Sequence, residues 1–153
     1  MRRTGGCQCG AVRFAVEAIG RPSICHCRMC QKAFAAPYGA LVSVKLEHLT
    51  WTRGEPSRFQ SSNKVRRGFC SACGTPLTFE WSEKVIDLAI CAFDDPREIR
   101  PVTQLARHAA LPWVDETADL PDSSGAPGAT ADFYASIVSH QHPDHDTESW
   151  PHG

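Results

Sequence analysis

The sequence predicts a mainly β fold, a single antiparallel β domain with one short helix. Three observations lead there. Apolar residues recur at alternate positions in short runs, glycine, proline, serine and asparagine punctuate those runs between Thr50 and Ile90, and close cysteine pairs stand far apart in the chain. A compact fold must bring those pairs together. At 153 residues, 42% hydrophobic and 22% charged, the chain has the composition of one folded domain, with no room for a second sizeable core.

Taken in order, residues 11–18 place Val12, Phe14 and Val16 on one side of a strand that starts just after the first cysteine pair. The stretch from Arg28 to Ala36 lacks β-branched residues and stops at Pro37, the pattern of a short helix. Tyr38 to Val44 reads as the next strand. Arg58 to Gln60, Lys64 to Phe69, Pro76 to Trp81 and Lys84 to Ile90 follow as an antiparallel meander, with Ile86, Leu88 and Ile90 sharing a face and Asp94-Asp95-Pro96 closing it in a turn. The compact domain is expected to span residues 1–117. Residues 118–153 read as a flexible connector, rich in Pro, Ser and Gly from Pro121 to Gly128, then about two helical turns over Asp132 to Val138 and a polar tail carrying His140, His142, His145 and His152.

A formal net charge of -1 implies no bulk attraction to nucleic acid or to an anionic membrane. No stretch reaches the ~18 apolar residues of a membrane span. The first residues are basic but run into Cys7 without an apolar segment, so no secretory signal is read and a cytoplasmic, reducing location is expected. There, eight cysteines argue for metal binding over disulfides.

Thiolates are good zinc ligands, and a pair one or two residues apart grips an ion from a tight turn. Cys7-Gln8-Cys9-Gly10 and Cys70-Ser71-Ala72-Cys73-Gly74 are two such half-sites, and together Cys7, Cys9, Cys70 and Cys73 supply the four thiolates of a closed structural zinc site. Cys25-His26-Cys27-Arg28-Met29-Cys30 offers three more. That number fits a catalytic zinc with an open position, or a closed site completed by His26 or a distant histidine. A helix starting near Arg28, with Arg28 and Lys32 nearby, would favour the thiolate forms.

With these motifs in view, the chain resembles the glutathione-dependent formaldehyde-activating enzyme family, whose relatives include centromere protein V. The resemblance spans roughly residues 3–115. It rests on the segment from Gly5 to Phe14, on Cys25 to Lys32, on Arg67 to Leu77 and on Phe93-Asp94-Asp95-Pro96, in the family's order. It implies a zinc-stapled β architecture sometimes called a β-tent, with two zinc ions per chain. One is structural, on Cys7, Cys9, Cys70 and Cys73, and one catalytic, on Cys25, Cys27 and Cys30. The activity implied is a carbon–sulfur lyase, or its reverse, acting on a small thiol adduct such as S-hydroxymethylglutathione. The chain departs from the family pattern at Gln31, where arginine is frequent, at Gln104-Leu105, where a His-Ile pair is frequent, and at Cys91, where glycine is common. A non-enzymatic zinc module that binds a protein partner is the alternative.

Other residues are read more plainly. Lys64, Arg66 and Arg67 are candidates for carboxylate recognition, but a solvated strand face is favoured, with Arg67 on the opposite side from the other two. His26 is a candidate acid, base or ligand between two cysteines, and His108 a surface or packing residue. Trp51, Trp81 and Trp113 are expected in core or rim packing, and Cys91 as a small buried hydrophobe.

Overall fold

The computed structural model describes residues 1–123 and 129–150, in which ten strands and two α-helices are found. Residues 124–128 of the expected connector, and His152, lie outside the described residues. No helix among the described residues is long and apolar enough to cross a membrane.

Two sheets make the fold. The smaller contains β1 (Arg3–Gly6), β2 (Arg13–Val16) and β5 (Leu49–Arg53), in the order β1-β2-β5. The larger comprises β3 (Pro22–Cys25), β4 (Gly39–Lys45), β6 (Ser57–Gln60), β7 (Arg66–Phe69), β8 (Pro76–Glu80), β9 (Val85–Ala89) and β10 (Thr103–Leu105), in the order β10-β3-β4-β9-β8-β7-β6. Every pairing is antiparallel except β10 with β3, which is parallel. The sheets are tied where Gly5 of β1 bridges Phe93 and the Asp94 N–H donates to the Thr4 carbonyl.

Period-two patterning explains the central ladder. Val42 lies opposite Leu88 and Val44 opposite Ile86 on β4 and β9, and all four side chains are buried. Phe14 anchors the small sheet to this core, fully buried, with its ring edge-on to Trp51 at 5.9 Å and to Phe93 at 5.0 Å. Burying such side chains is worth roughly 1.5–3 kcal/mol each before conformational entropy is counted. Trp51 packs on the core edge, whereas Trp81 and Trp113 are about half exposed.

Helix α1 (Arg28–Phe34) occupies the expected segment and stops before Ala35, a left-handed residue whose N–H bonds back to the Gln31 and Lys32 carbonyls. The second helix, α2 (Ala129–Ala135), begins earlier than the sequence pattern and leaves Ile137 and Val138 outside it. Cys91 is a correction: it is exposed, because β9 ends at Ala89 and the tight helical turn Ile90–Ala92 buries its two outer residues and rotates Cys91 outward.

Candidate metal centres

Both cysteine pairs of the first cluster sit at hairpin tips, one in each sheet. Between β1 and β2, the Cys7 N–H bonds to the Val12 carbonyl and the Gly10 N–H to the Cys7 carbonyl; between β7 and β8, the Cys70 N–H bonds to the Thr75 carbonyl and the Gly74 N–H to the Cys70 carbonyl. The outer bond spans five residues at both tips, whereas the inner one spans three at Cys7 and four at Cys70. Each is closed by a left-handed glycine, Gly10 at φ 73° and Gly74 at φ 78°, a conformation that other residues reach only with strain. The turns aim four sulfurs inward.

Those sulfurs, of Cys7, Cys9, Cys70 and Cys73, all lie within 4.8 Å of one another. Cys7 Sγ stands 3.6 Å from Cys9 Sγ, which stands 3.8 Å from Cys70 Sγ. A tetrahedral ion with metal–sulfur bonds of ~2.3 Å spaces its sulfurs ~3.8 Å apart, the spacing these two pairs already have, so the donor set suits zinc. All eight cysteines are free thiols. Burial pushes Cys7 up to about 12, while Cys73 falls to about 6 because bonds from the Thr75 hydroxyl and from the Thr75 and Cys9 N–H groups outweigh its burial. A cavity of about 410 Å³ adjoins this cluster, with Arg13, Asp94 and His142 in its wall.

The second cluster straddles the junction of β3 and α1. Cys25 ends β3, Cys27 caps α1, and Cys30 lies in its first turn, with the three sulfurs again within 4.8 Å of one another. The Cys30 N–H donates to Cys27 Sγ at 3.4 Å. Against the upward push of burial, this bond and the neighbouring thiols hold Cys27 below the ordinary thiol value, whereas burial pushes Cys30 up to about 12. No histidine or carboxylate among the described residues joins the three sulfurs at that distance.

His26 is the candidate that the structure removes from the ligand set. Its ring is buried and edge-on to Tyr38, its Nε2 lies 2.8 Å from Gln104 Oε1, and its backbone N–H bonds to the Leu105 carbonyl. Gln31, also buried, donates from Nε2 to the His26 carbonyl and to the Ala109 carbonyl. Gln31 and Gln104, two of the positions that depart from the family pattern, thus both brace the cysteine loop. Their contacts with His26 and Ala109 have no signal in the local sequence.

Arg67 corrects the expectation of a solvated strand face. Arg66 does stay exposed, paired with Glu80 at 2.9 Å, and Lys64 is exposed as well. Arg67 is only 3% exposed, places Nη2 3.3 Å from Cys30 Sγ and Nε 3.0 Å from Ser61 Oγ, and lies over the Phe79 ring at 4.9 Å. Strand parity was the signal that separated it from Arg66. What parity could not give was the thiol at the other end.

The tail histidines separate too. His140 and His145 are exposed and His108 is exposed, but His142 is buried: its N–H donates to the Gln8 carbonyl at 2.7 Å and its ring lies against Gly10 and Trp150. Beside it, Arg13 is buried between Asp94, at 2.7 and 2.8 Å, and Asp146, at 2.9 Å.

Comparison with known proteins agrees with this architecture. The solved crystal structure of a Rhodobacter sphaeroides protein superposes with a TM-score of 0.54 at 21% identity, covering 66% of this chain and 98% of its own, which shows a shared fold. The sequence profile of the glutathione-dependent formaldehyde-activating enzyme family matches residues 2–108, the span that holds both cysteine clusters, Arg67, Gln104 and Leu105. The chain belongs to that family.

Proposed function

We propose that this protein is a zinc-dependent carbon–sulfur lyase, acting in the cytoplasm on a small thiol adduct of the S-hydroxymethylglutathione kind. The observation that carries this reading is the convergence of Cys25, Cys27 and Cys30 with no fourth protein ligand among the described residues. Three protein ligands are the usual complement of a catalytic zinc, whereas four, as at Cys7, Cys9, Cys70 and Cys73, are that of a structural one. Two zinc ions per chain are therefore assigned to two different tasks.

The reaction is redox-neutral. In an S-hydroxymethyl thioether the carbon–sulfur bond breaks with its electron pair left on sulfur, the hydroxyl proton departs as the carbonyl forms, and a thiol and formaldehyde result; the reverse joins them. Cys25, Cys27 and Cys30 would hold the zinc, which would supply a Lewis acid for a thiolate sulfur at neutral pH. The protein's own residues fix the geometry: Cys27 is held by the Cys30 N–H, Cys30 by Arg67, and the intervening His26 by Gln104 and Gln31. Such bracing limits the rearrangement needed when the adduct arrives.

Cleavage of S-hydroxymethylglutathione, followed as formaldehyde release, is the test. Turnover by the zinc-loaded chain is expected, with loss of at least about a hundredfold in Cys27→Ser. Equal release by that variant and by wild type would exclude the cluster as reaction centre.

A further inference from the structure

Residues 141–150 lie beyond the family-matched span 2–108, yet they are docked on the small sheet. Their seat is built by the first cysteine hairpin and the strands beside it. The Gln8 and Gly10 carbonyls lie in the turn, outside the β1–β2 ladder, and need donors from elsewhere. The Gln8 carbonyl takes the His142 N–H at 2.7 Å, and the Gly10 carbonyl takes Arg53 Nη1 at 3.1 Å. Arg53 couples the turn to the segment, since its Nη2 donates to the Thr147 carbonyl and, at 3.1 Å, to the Thr147 hydroxyl. Asp146 accepts from Arg13 at 2.9 Å and from Arg2 at 3.5 Å. Trp150 closes the end, its ring 5.2 Å from that of His142. Asp144, Asp146 and Glu148 give the segment the opposite charge to a seat that carries Arg2, Arg13 and Arg53.

The place of this segment relative to the thiols decides what it does. Cys7 and Cys70 are buried, whereas Cys9 and Cys73 are partly exposed, so a competing ligand approaches an ion here from their side. Cys7, Gln8 and Cys73 line the cavity of about 410 Å³, and Gln141, His142 and Asp144 form part of its wall. The segment thus stands along one approach to the cluster and grips the Cys7–Cys9 turn by its backbone. Metal exchange requires such a turn to open locally, and contacts made only in the closed form slow that opening.

We propose that residues 141–150 act as a strap on the four-thiol cluster: docked, they hold the Cys7–Cys9 turn closed and retard exchange of its metal, and undocked they leave the cluster open to competing thiols and chelators. This rests on the reading of Cys7, Cys9, Cys70 and Cys73 as a zinc site, and it adds how retention of the ion there is controlled.

Transfer of zinc from the loaded full chain to 4-(2-pyridylazo)resorcinol, followed by absorbance, tests it, with Cys27→Ser identifying the phase that belongs to the four-thiol cluster. The double variant His142→Pro, Asp146→Ala removes the N–H, the ring and the carboxylate that dock the strap, while Arg13 stays paired with Asp94. Release from the four-thiol cluster is expected to quicken about tenfold, the net worth of one or two hydrogen bonds, with the three-thiol phase unchanged. His140→Ala, at an exposed tail position, should change neither phase. In wild type the His142 amide is expected to be protected from hydrogen exchange. An unchanged four-thiol rate in the double variant, equal acceleration of both phases, or an unprotected His142 amide in wild type overturns the proposal. A Cys27→Ser chain that retains no zinc would instead refute the four-thiol site itself, and the strap's role with it.

Discussion

Arg13 and Asp94 form a paired contact with 4% and 12% of their side chains exposed, so deleting the Asp94 charge leaves the buried Arg13 with the more exposed Asp146 as its carboxylate partner. Asp94→Asn is expected to lower the unfolding free energy by about 2 kcal/mol at neutral pH, the cost of losing hydrogen bonds to a charged group. Burial alone would raise the Asp94 carboxyl, but bonds from Arg13 and Thr4 hold it below the ordinary carboxylate value. A carboxylate lowered in the folded state contributes stability above its unfolded pKa of ~3.9, and that contribution is lost as pH falls through the lower folded value. Urea unfolding should thus show a gap between wild type and variant at neutral pH that shrinks below about pH 4. An undiminished gap at about pH 3 would contradict the assignment. Arg67 makes a second residue-scale prediction: Arg67→Lys keeps the charge but loses the fork that reaches both Cys30 and Ser61, so chelator competition should find metal affinity at the three-thiol cluster about tenfold weaker, with the four-thiol cluster unaffected. At this scale the sequence was only partly legible. The ligand cysteines announce themselves by spacing, whereas the burial of Arg67, His142 and Gln31 depends on partners from distant segments that no local pattern encodes.

The elements that matter most are the two knuckled hairpins, and their glycines separate two effects. Gly74 has a left-handed φ but nothing within 4 Å of an added Cβ, so Gly74→Ala should show backbone strain alone, about 1 kcal/mol. At Gly10 an added Cβ would also come within 2.3 Å of the His142 ring, so Gly10→Ala should cost more and should release the tail segment from the Gln8 carbonyl. Thermal unfolding compares the two, and hydrogen exchange at the His142 amide reports the release. Equal melting temperatures with a protected His142 amide would show that the ring simply moves aside. Strands with alternating apolar residues, β2, β4, β8 and β9, could be read directly from the sequence. β1 could not, since Gly5 and Gly6 have no side chains to pattern, and β10 could not, since it is short, half exposed and paired in parallel with a strand from far earlier in the chain.

For the whole molecule, the four-thiol cluster joins the tip of a hairpin in the small sheet to the tip of one in the large sheet. An ion there adds to contacts that include Phe14 packing, the Gly5–Phe93 bridge, the Arg13–Asp94 pair and the bond from the Gln8 N–H to the Thr75 hydroxyl. Cys9→Ser should therefore lower the global melting temperature by several degrees, on the order of 10 °C, while Cys27→Ser, at a cluster confined to one β–α junction, should lower it far less. Equal shifts would remove the distinction between staple and reaction centre. The sequence held both ligand sets but not their relation to the sheets, because which hairpins face each other is decided by the packed core.

The central claim is that the three-thiol cluster accepts a sulfur from outside the chain and the four-thiol cluster does not. X-ray absorption at the zinc edge, recorded on wild type and on Cys27→Ser with and without added thiol, tests it directly. In wild type the average sulfur count per zinc is expected to rise on adding thiol, and in Cys27→Ser, where the intact four-thiol cluster dominates the signal, to stay constant. A wild-type spectrum unchanged by glutathione and by other small thiols alike would contradict the account.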